Sequence, residues 1–160
     1  NFADARENGF IRGAYHFFSP LSPASKQAEF YIKNVKLEPH DLPPVLDVER
    51  RGKYGDDSLR IEVKNWLRIV EEHYGVKPIL YASFRFKENY LSDSLLNTYP
   101  FWIAHYEVDT LEYKGKWAFW QHRDNGELTG IKGNVDMNVF NGDLQELLQM
   151  TIQEKEGDSQ

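Results

Sequence analysis

Short apolar runs alternate with stretches of helical period, and that alternation limits what the chain can fold into more than any single motif does. The runs are "GAYHFF" (13–18), "PPVLDVE" (43–49), "KPILYAS" (77–83), "PFWIAHY" (100–106), "KWAFWQH" (116–122) and "NVDMNVF" (134–140). Gly, Pro, Asn or Asp bounds each of them, as expected of strands. Between the first two, Ala28, Tyr31, Ile32 and Val35 fall on one helical face, with Ser22 expected to cap and Pro23 to take the first helical position. Between the second and third, Leu59, Val63, Trp66, Leu67, Val70 and Tyr74 keep a helical period, and Gly75 suits the position just past the end. A short helix around 92–97 and a last one from about Asp143 to Gln153 complete the reading.

Strands and helices in alternation with short links predict an α/β fold built on parallel strands. Residues 107–115 and 123–133 carry no helical pattern, so the expected architecture is an irregular, TIM-like (β/α) barrel with incomplete helical cover. Six strands fall short of the roughly eight that close such a barrel. The opening "NFADAREN" reads as the tail of a helix, and the expectation is that one or two strands lie before it. Residues 1–153 are expected to form a single domain, and 154–160 a polar tail.

Composition removes several classes of function. The net charge of −6 and the lack of any basic run beyond Arg50-Arg51 argue against a nucleic-acid partner. With no cysteine there is neither a disulfide framework nor a thiolate metal site. No apolar run approaches the roughly 20 residues of a membrane helix. Aromatic residues make up 14 % of the chain, many of them beside polar groups rather than inside apolar runs. Their flat faces suit sugar rings as well as a core.

Side-chain direction alternates along a strand. Val45, Asp47 and Glu49 therefore share one face of their run, and Leu46 and Val48 the other. The aliphatic pair belongs under helices, so the two acids point toward the barrel axis, at the strand's C-terminal end where barrel enzymes hold their chemistry. The same parity groups Asp136 with Asn138, Trp102 with Ala104 and Tyr106, and Trp117 with Phe119 and Gln121, and it turns Tyr15 and Tyr81 inward. A cavity of carboxylates, amides and aromatic rings fits a polysaccharide. Two carboxylates are the minimum equipment for cutting a glycosidic bond. An apolar surround and a neighbouring charge raise a carboxyl pKa, which gives Glu49 a route to the proton-donor role. Its partner then stabilises positive charge at the anomeric carbon, attacks it, or orients a water or an acetamido group.

With these motifs in this order, the chain resembles the glycoside hydrolase family 25 lysozymes, the Chalaropsis-type muramidases. "NFADARENGFIRGAYHFF" follows the family's spacing, "PVLDVE" looks like its catalytic strand, and "PILYAS", "FWIAHY", "WAFWQH" and "VDMNVF" resemble the strands that follow. The resemblance implies hydrolysis of the β-1,4 bond between N-acetylmuramic acid and N-acetylglucosamine in peptidoglycan, without a cofactor or metal. It implies Glu49 as proton donor, Asp47 as acidic partner and Asp136 as a further acid, with Tyr15, Tyr81, Trp102, Tyr106 and Gln121 in the cleft. It also implies a monomer acting outside the cell or in the periplasm. The family's opening strand, which carries an aspartate needed for full activity, has no counterpart here.

Blander readings stand beside these. Asp47 and Glu49 are strand-end acids of a kind that pairs with Arg50 or Arg51, and Asp136 follows a Gly-Asn turn that it is placed to cap. His16 and His105 invite a metal hypothesis with Asp136, but parity sends both toward helices as satisfied interior histidines. The Arg50, Arg51 and Lys53 group reads as a solvated loop. At the level of function the alternatives are a non-catalytic sugar-binding or scaffolding protein on the same fold, and a chitinase-like barrel. The latter spaces further aspartates ahead of its acid where this chain has prolines and aliphatics.

Overall fold

The computed structural model describes residues 1–154. Of the expected tail, only residue 154 lies within the described residues. The elements run α1 (Phe2–Glu7), β1 (Tyr15–Phe17), α2 (Ala24–Asn34), β2 (Val45–Asp47), α3 (Asp56–Tyr74), β3 (Ile79–Ser83) and α4 (Phe84–Tyr90). A 3-10 turn at Leu96–Thr98 then leads to β4 (Phe101–Ala104), β5 (Phe119–Gly126), β6 (Val135–Phe140) and α5 (Leu144–Met150).

The six strands form one sheet in sequential order. β1 to β5 pair in parallel, whereas β5 and β6 are antiparallel. The sheet is thus a mixed, curled half-barrel rather than a closed cylinder. The antiparallel pair explains why 123–133 shows no helical pattern: a hairpin needs no crossover. Within the described residues, β1 and β6 form the two margins of the sheet and neither pairs with a further strand.

Two clusters divide the interior. On the outer face, Leu46, Val48, Leu80, Ala82 and Ile103 pack against Ala28 and Tyr31 of α2 and Leu59, Val63, Trp66, Leu67 and Val70 of α3. Gly75 ends α3 with φ of 70°, a left-handed conformation that glycine adopts without steric cost. On the inner face, Val45, Ile79 and Phe119 meet Trp102, Phe140 and, from α5, Leu147 and Met150. Val45 and Ile79 begin their strands, so α5 plugs the N-terminal end of the arc from inside and leaves the C-terminal end open. Asp143 caps that helix in a reciprocal capping box with Glu146.

Several local expectations give way. Pro23, not Ser22, is the N-cap of α2, and Glu62 from α3 accepts the Ala24 N–H at 2.7 Å. Packing against α3 thus supplies what a serine cap would have. α4 is a helix that the sequence pattern missed; Ser83 caps it by accepting from the Phe86 N–H, while the helix expected at 92–97 is only the 3-10 turn. Trp117 precedes β5 and packs with the outer cluster instead of joining Phe119 and Gln121 inside.

Gln27 pins the loop after β1. Its Oε1 accepts from the Ser19 N–H at 2.8 Å and contacts His16 Nε2 at 3.0 Å, while Nε2 donates to the Ser19 and Ser22 carbonyls at 2.8 Å each. Gln27→Leu strips these buried groups of partners, and the expected loss is about 2 kcal/mol of unfolding free energy. Urea denaturation checks it: a lowered midpoint at unchanged slope is the expected result.

Candidate active site

β2 places the two acids. Its parallel register sets Tyr15 beside Val45, Phe17 beside Asp47, and Asp47 beside Tyr81. Residues paired in this way project to the same face, so Tyr15, Asp47 and Tyr81 turn inward together. Register with the later strands continues the row: Tyr81 lies beside Trp102, Trp102 beside Phe119, and Gln121 beside Asn138. The result is a cleft of about 470 Å³ at the open end of the arc. Tyr15, Asp47, Glu49, Tyr81, Trp102, Tyr106, Gln121 and Asp136 all line it, so the eight residues singled out in the sequence meet in one place. Asn138 also lines the cleft. Its parity with Asp136 in "VDMNVF" had already grouped it with the amides of the expected cavity, though without a role of its own.

The floor of the cleft is organised by one amide. Gln121, almost fully buried, accepts through Oε1 from the Tyr81 hydroxyl at 2.8 Å and from the Tyr106 hydroxyl. Both phenols thereby spend their protons on Gln121 and keep oxygen lone pairs free for a ligand's hydroxyl or amide N–H. Burial raises the Tyr81 hydroxyl above its ordinary value, with the neighbouring Tyr106 and the charges of Asp47 and Glu49 adding to it. Burial likewise raises Tyr106, with Asp136 among the charges that add to it. Both side chains stay neutral at pH 7. On the other wall, Trp102 Nε1 donates to Asn138 Oδ1 at 2.8 Å, which fixes the indole plane, and Trp102 stacks on Phe119 with 4.6 Å between ring centroids.

The acids differ in environment, and not in the way the sequence suggested. Glu49 lies beyond the last residue of β2 and is exposed at the mouth. Asp47 sits one step deeper, half-buried, and its Oδ1 is fully buried without a hydrogen-bond partner. Burial pushes the Asp47 carboxyl up to about 7, and the charge on Glu49 adds to the effect. The apolar surround expected around Glu49 therefore belongs to Asp47, because strand length, which parity does not reveal, decides how deep each residue sits. No ion pair holds either acid among the described residues; Arg51 instead binds Asp56 at 2.8 Å. Asp136 is exposed on β6 and faces the cleft.

The histidines lie elsewhere. His16 stacks on Trp66 at 5.8 Å under the helices. His105 stacks on Phe84 at 4.5 Å, and its buried Nδ1 has no partner, so this histidine departs from the satisfied state expected of it. Among the described residues no group of three or more His, Asp or Glu side chains is arranged to hold a metal ion.

Chemically, an exposed acid, a deeper carboxyl that keeps its proton to near neutrality, and a third acid opposite them surround an aromatic slot. That arrangement can donate a proton at its rim and stabilise positive charge at its centre.

Comparison with known proteins places this geometry. The family profile described as Glycosyl hydrolases family 25 matches residues 1–131. The protein YegX of Escherichia coli K12, described as uncharacterized, is 47 % identical over 148 residues, spanning 92 % of this chain and 54 % of its own length. Lysozyme M1 of Streptomyces globisporus is 28 % identical over 165 residues, covering 92 % of this chain and 55 % of its own. The chain thus spans about half the length of these curated relatives. Among solved structures, a family 25 glycosyl hydrolase from Bacillus anthracis superposes with a TM-score of 0.83 at 32 % identity, covering 94 % of this chain and 73 % of that one.

Proposed function

The chain belongs to glycosyl hydrolase family 25, and from that premise we propose that the full-length protein is a muramidase, cleaving the β-1,4 bond between N-acetylmuramic acid and N-acetylglucosamine in peptidoglycan. The observation that carries the proposal is the pair Asp47 and Glu49 at the mouth of an aromatic cleft, held there by β2. Lysozyme M1 and the Bacillus anthracis enzyme support it as relatives.

The pair works as a unit that holds one proton. Of the two, the deeper Asp47 keeps it, since burial favours the neutral form. A glycan lying over the mouth covers Glu49 and sets the glycosidic oxygen against it. Positive charge growing at the anomeric carbon meanwhile favours an ionised Asp47. Glu49 then donates to the glycosidic oxygen, the C1–O bond breaks with its electrons on that oxygen, and Asp47 stabilises the positive carbon. Water supplies hydroxide to C1, and its remaining proton returns to the pair. Asp136 adds negative potential from the opposite wall. Tyr15 and Trp102 present rings to the sugars, while Tyr81 and Tyr106, set by Gln121, offer lone pairs to their hydroxyl and amide groups.

The arc is, on this reading, the larger part of an irregular (β/α) barrel whose gap lies between β1 and β6. The two unpaired margins support that, as does the 73 % share of the Bacillus anthracis chain that this one covers. The partner is the glycan strand, the protein acts as a monomer, and its substrate places it outside the cell or in the periplasm. No helix among the described residues is long and apolar enough to cross a membrane.

Digestion of purified peptidoglycan by the full-length protein, followed by borohydride reduction, tests the proposal. Reduced muramic acid at the new ends is the expected product. Reduced glucosamine would assign the other bond, and no new ends at all would leave a sugar-binding protein.

A further inference from the structure

We propose that a cationic shelf beside the cleft, built from Phe17, Pro20, Leu21, Arg50 and Gly52, receives the acidic stem peptide that muramic acid carries; the assignment rests on the muramidase reading above. The shelf and the cleft are neighbours along β1. Tyr15 lines the cleft and Phe17, two residues on and on the same inward face, lines the shelf. Both rings are open to solvent, Tyr15 at 70 % exposure and Phe17 at 39 %.

The shelf is a fixed surface rather than a loose loop. From below, Gln27 holds the Ser19 N–H and carbonyl. From the side, Gly52 adopts φ of 59°, and a Cβ added there would meet Pro20 at 2.6 Å, so the loops after β1 and β2 press directly on each other. Arg51 is tied to Asp56. Arg50 is the cation left for a ligand: its guanidinium lies 5.5 Å from the centre of the Phe17 ring, and no carboxylate lies within ion-pair distance of it among the described residues. Leu21, 87 % exposed, extends the apolar part.

Charge complementarity names the occupant. The chain is net acidic, and the cleft itself presents Asp47, Glu49 and Asp136. Such a cleft attracts developing positive charge but repels the free carboxylates of the stem peptides that muramic acid carries. A cation immediately next to Glu49 in the chain offsets that repulsion where the substituent leaves the sugar. Phe17, Pro20 and Leu21 offer apolar contact for the alanine methyl groups of a stem peptide. A plain glucosamine polymer has no group for Arg50 to meet.

The test uses full-length Glu49→Gln protein, titrated calorimetrically with two soluble glycans of equal length, one bearing its stem peptides and one stripped of them by an amidase and then capped as the neutral methylamide at the lactyl carboxylates that the amidase leaves. The stem-bearing glycan is expected to bind about fivefold tighter at low salt, with the advantage shrinking as salt rises. Adding Arg50→Glu or Arg50→Gln removes the advantage. Equal affinity for the two glycans, or an advantage that survives both substitutions, overturns the shelf and leaves the muramidase reading standing on its reducing ends. Binding of neither glycan, together with no reducing ends from the unsubstituted protein, overturns both. A polyol phosphate polymer that binds more tightly than the stem-bearing glycan, in an Arg50-dependent way, also overturns the assignment to the stem.

Discussion

Glu49→Gln leaves the full-length protein folded and unable to clear bacterial walls, with hydrolysis falling by about 10³-fold or more. The substitution is nearly isosteric, and the residue is exposed beyond the end of β2, so no packing is lost. What is lost, on the proposed mechanism, is the group that hands its proton to the leaving oxygen. Gln121, Tyr81, Tyr106 and Trp102 remain in place, so affinity for glycan is retained while turnover disappears. Release of reducing ends from purified walls, with circular dichroism as the check on folding, measures both. Turnover at the unsubstituted rate in a folded variant removes Glu49 as the acid.

Asp47→Asn has the second large effect, and it divides activity from stability. Turnover falls by about 10²- to 10³-fold, because an amide cannot become the anion that stabilises the positive carbon. Stability moves the other way above neutrality. In the fold the Asp47 carboxyl titrates at about 7, above its ordinary value. The folded chain therefore binds more proton than the unfolded chain between roughly pH 4 and 7. The stability that goes with a protonated Asp47 is complete below that window and is lost as pH rises through about 7. Asparagine never charges, so the variant keeps that contribution at pH 8, by about 1–2 kcal/mol after allowance for partial solvent screening. Thermal melts of both proteins at pH 4 and pH 8 check this: the curves are expected to separate at the higher pH and to converge at the lower. A variant less stable at pH 8 would place the proton elsewhere.

Both predictions rest on the part of the fold that strand parity made legible. Inward and outward sets along "PPVLDVE" follow from a two-residue period, and the structure separates Val45, Asp47 and Glu49 from Leu46 and Val48 as that period requires. α3 was equally plain, since six apolar residues and a terminal glycine leave one face and one stop. Depth was not legible. Nothing in the order of residues says that β2 ends at Asp47 and leaves Glu49 in solvent, so the environment expected of one acid surrounds the other. Strand direction was hidden too, because "NVDMNVF" alternates in the same way whether it runs with β5 or against it. α4 escaped notice because seven residues that start at a strand's end are too few to establish a period; Ser83 was the available signal. Trp117 misled because parity applies only once a strand has begun.

The two unpaired margins of the sheet reach beyond catalysis. β1 and β6 each present a row of backbone groups along one side, and exposed side chains such as Tyr15 on β1 and Val139 on β6 flank those rows. An uncovered strand edge is a template for another chain's strand. Residues 1–154 made on their own therefore have every incentive to stack edge to edge into oligomers or aggregates. Closure into the barrel proposed above would remove both templates at once and, with them, this route to association.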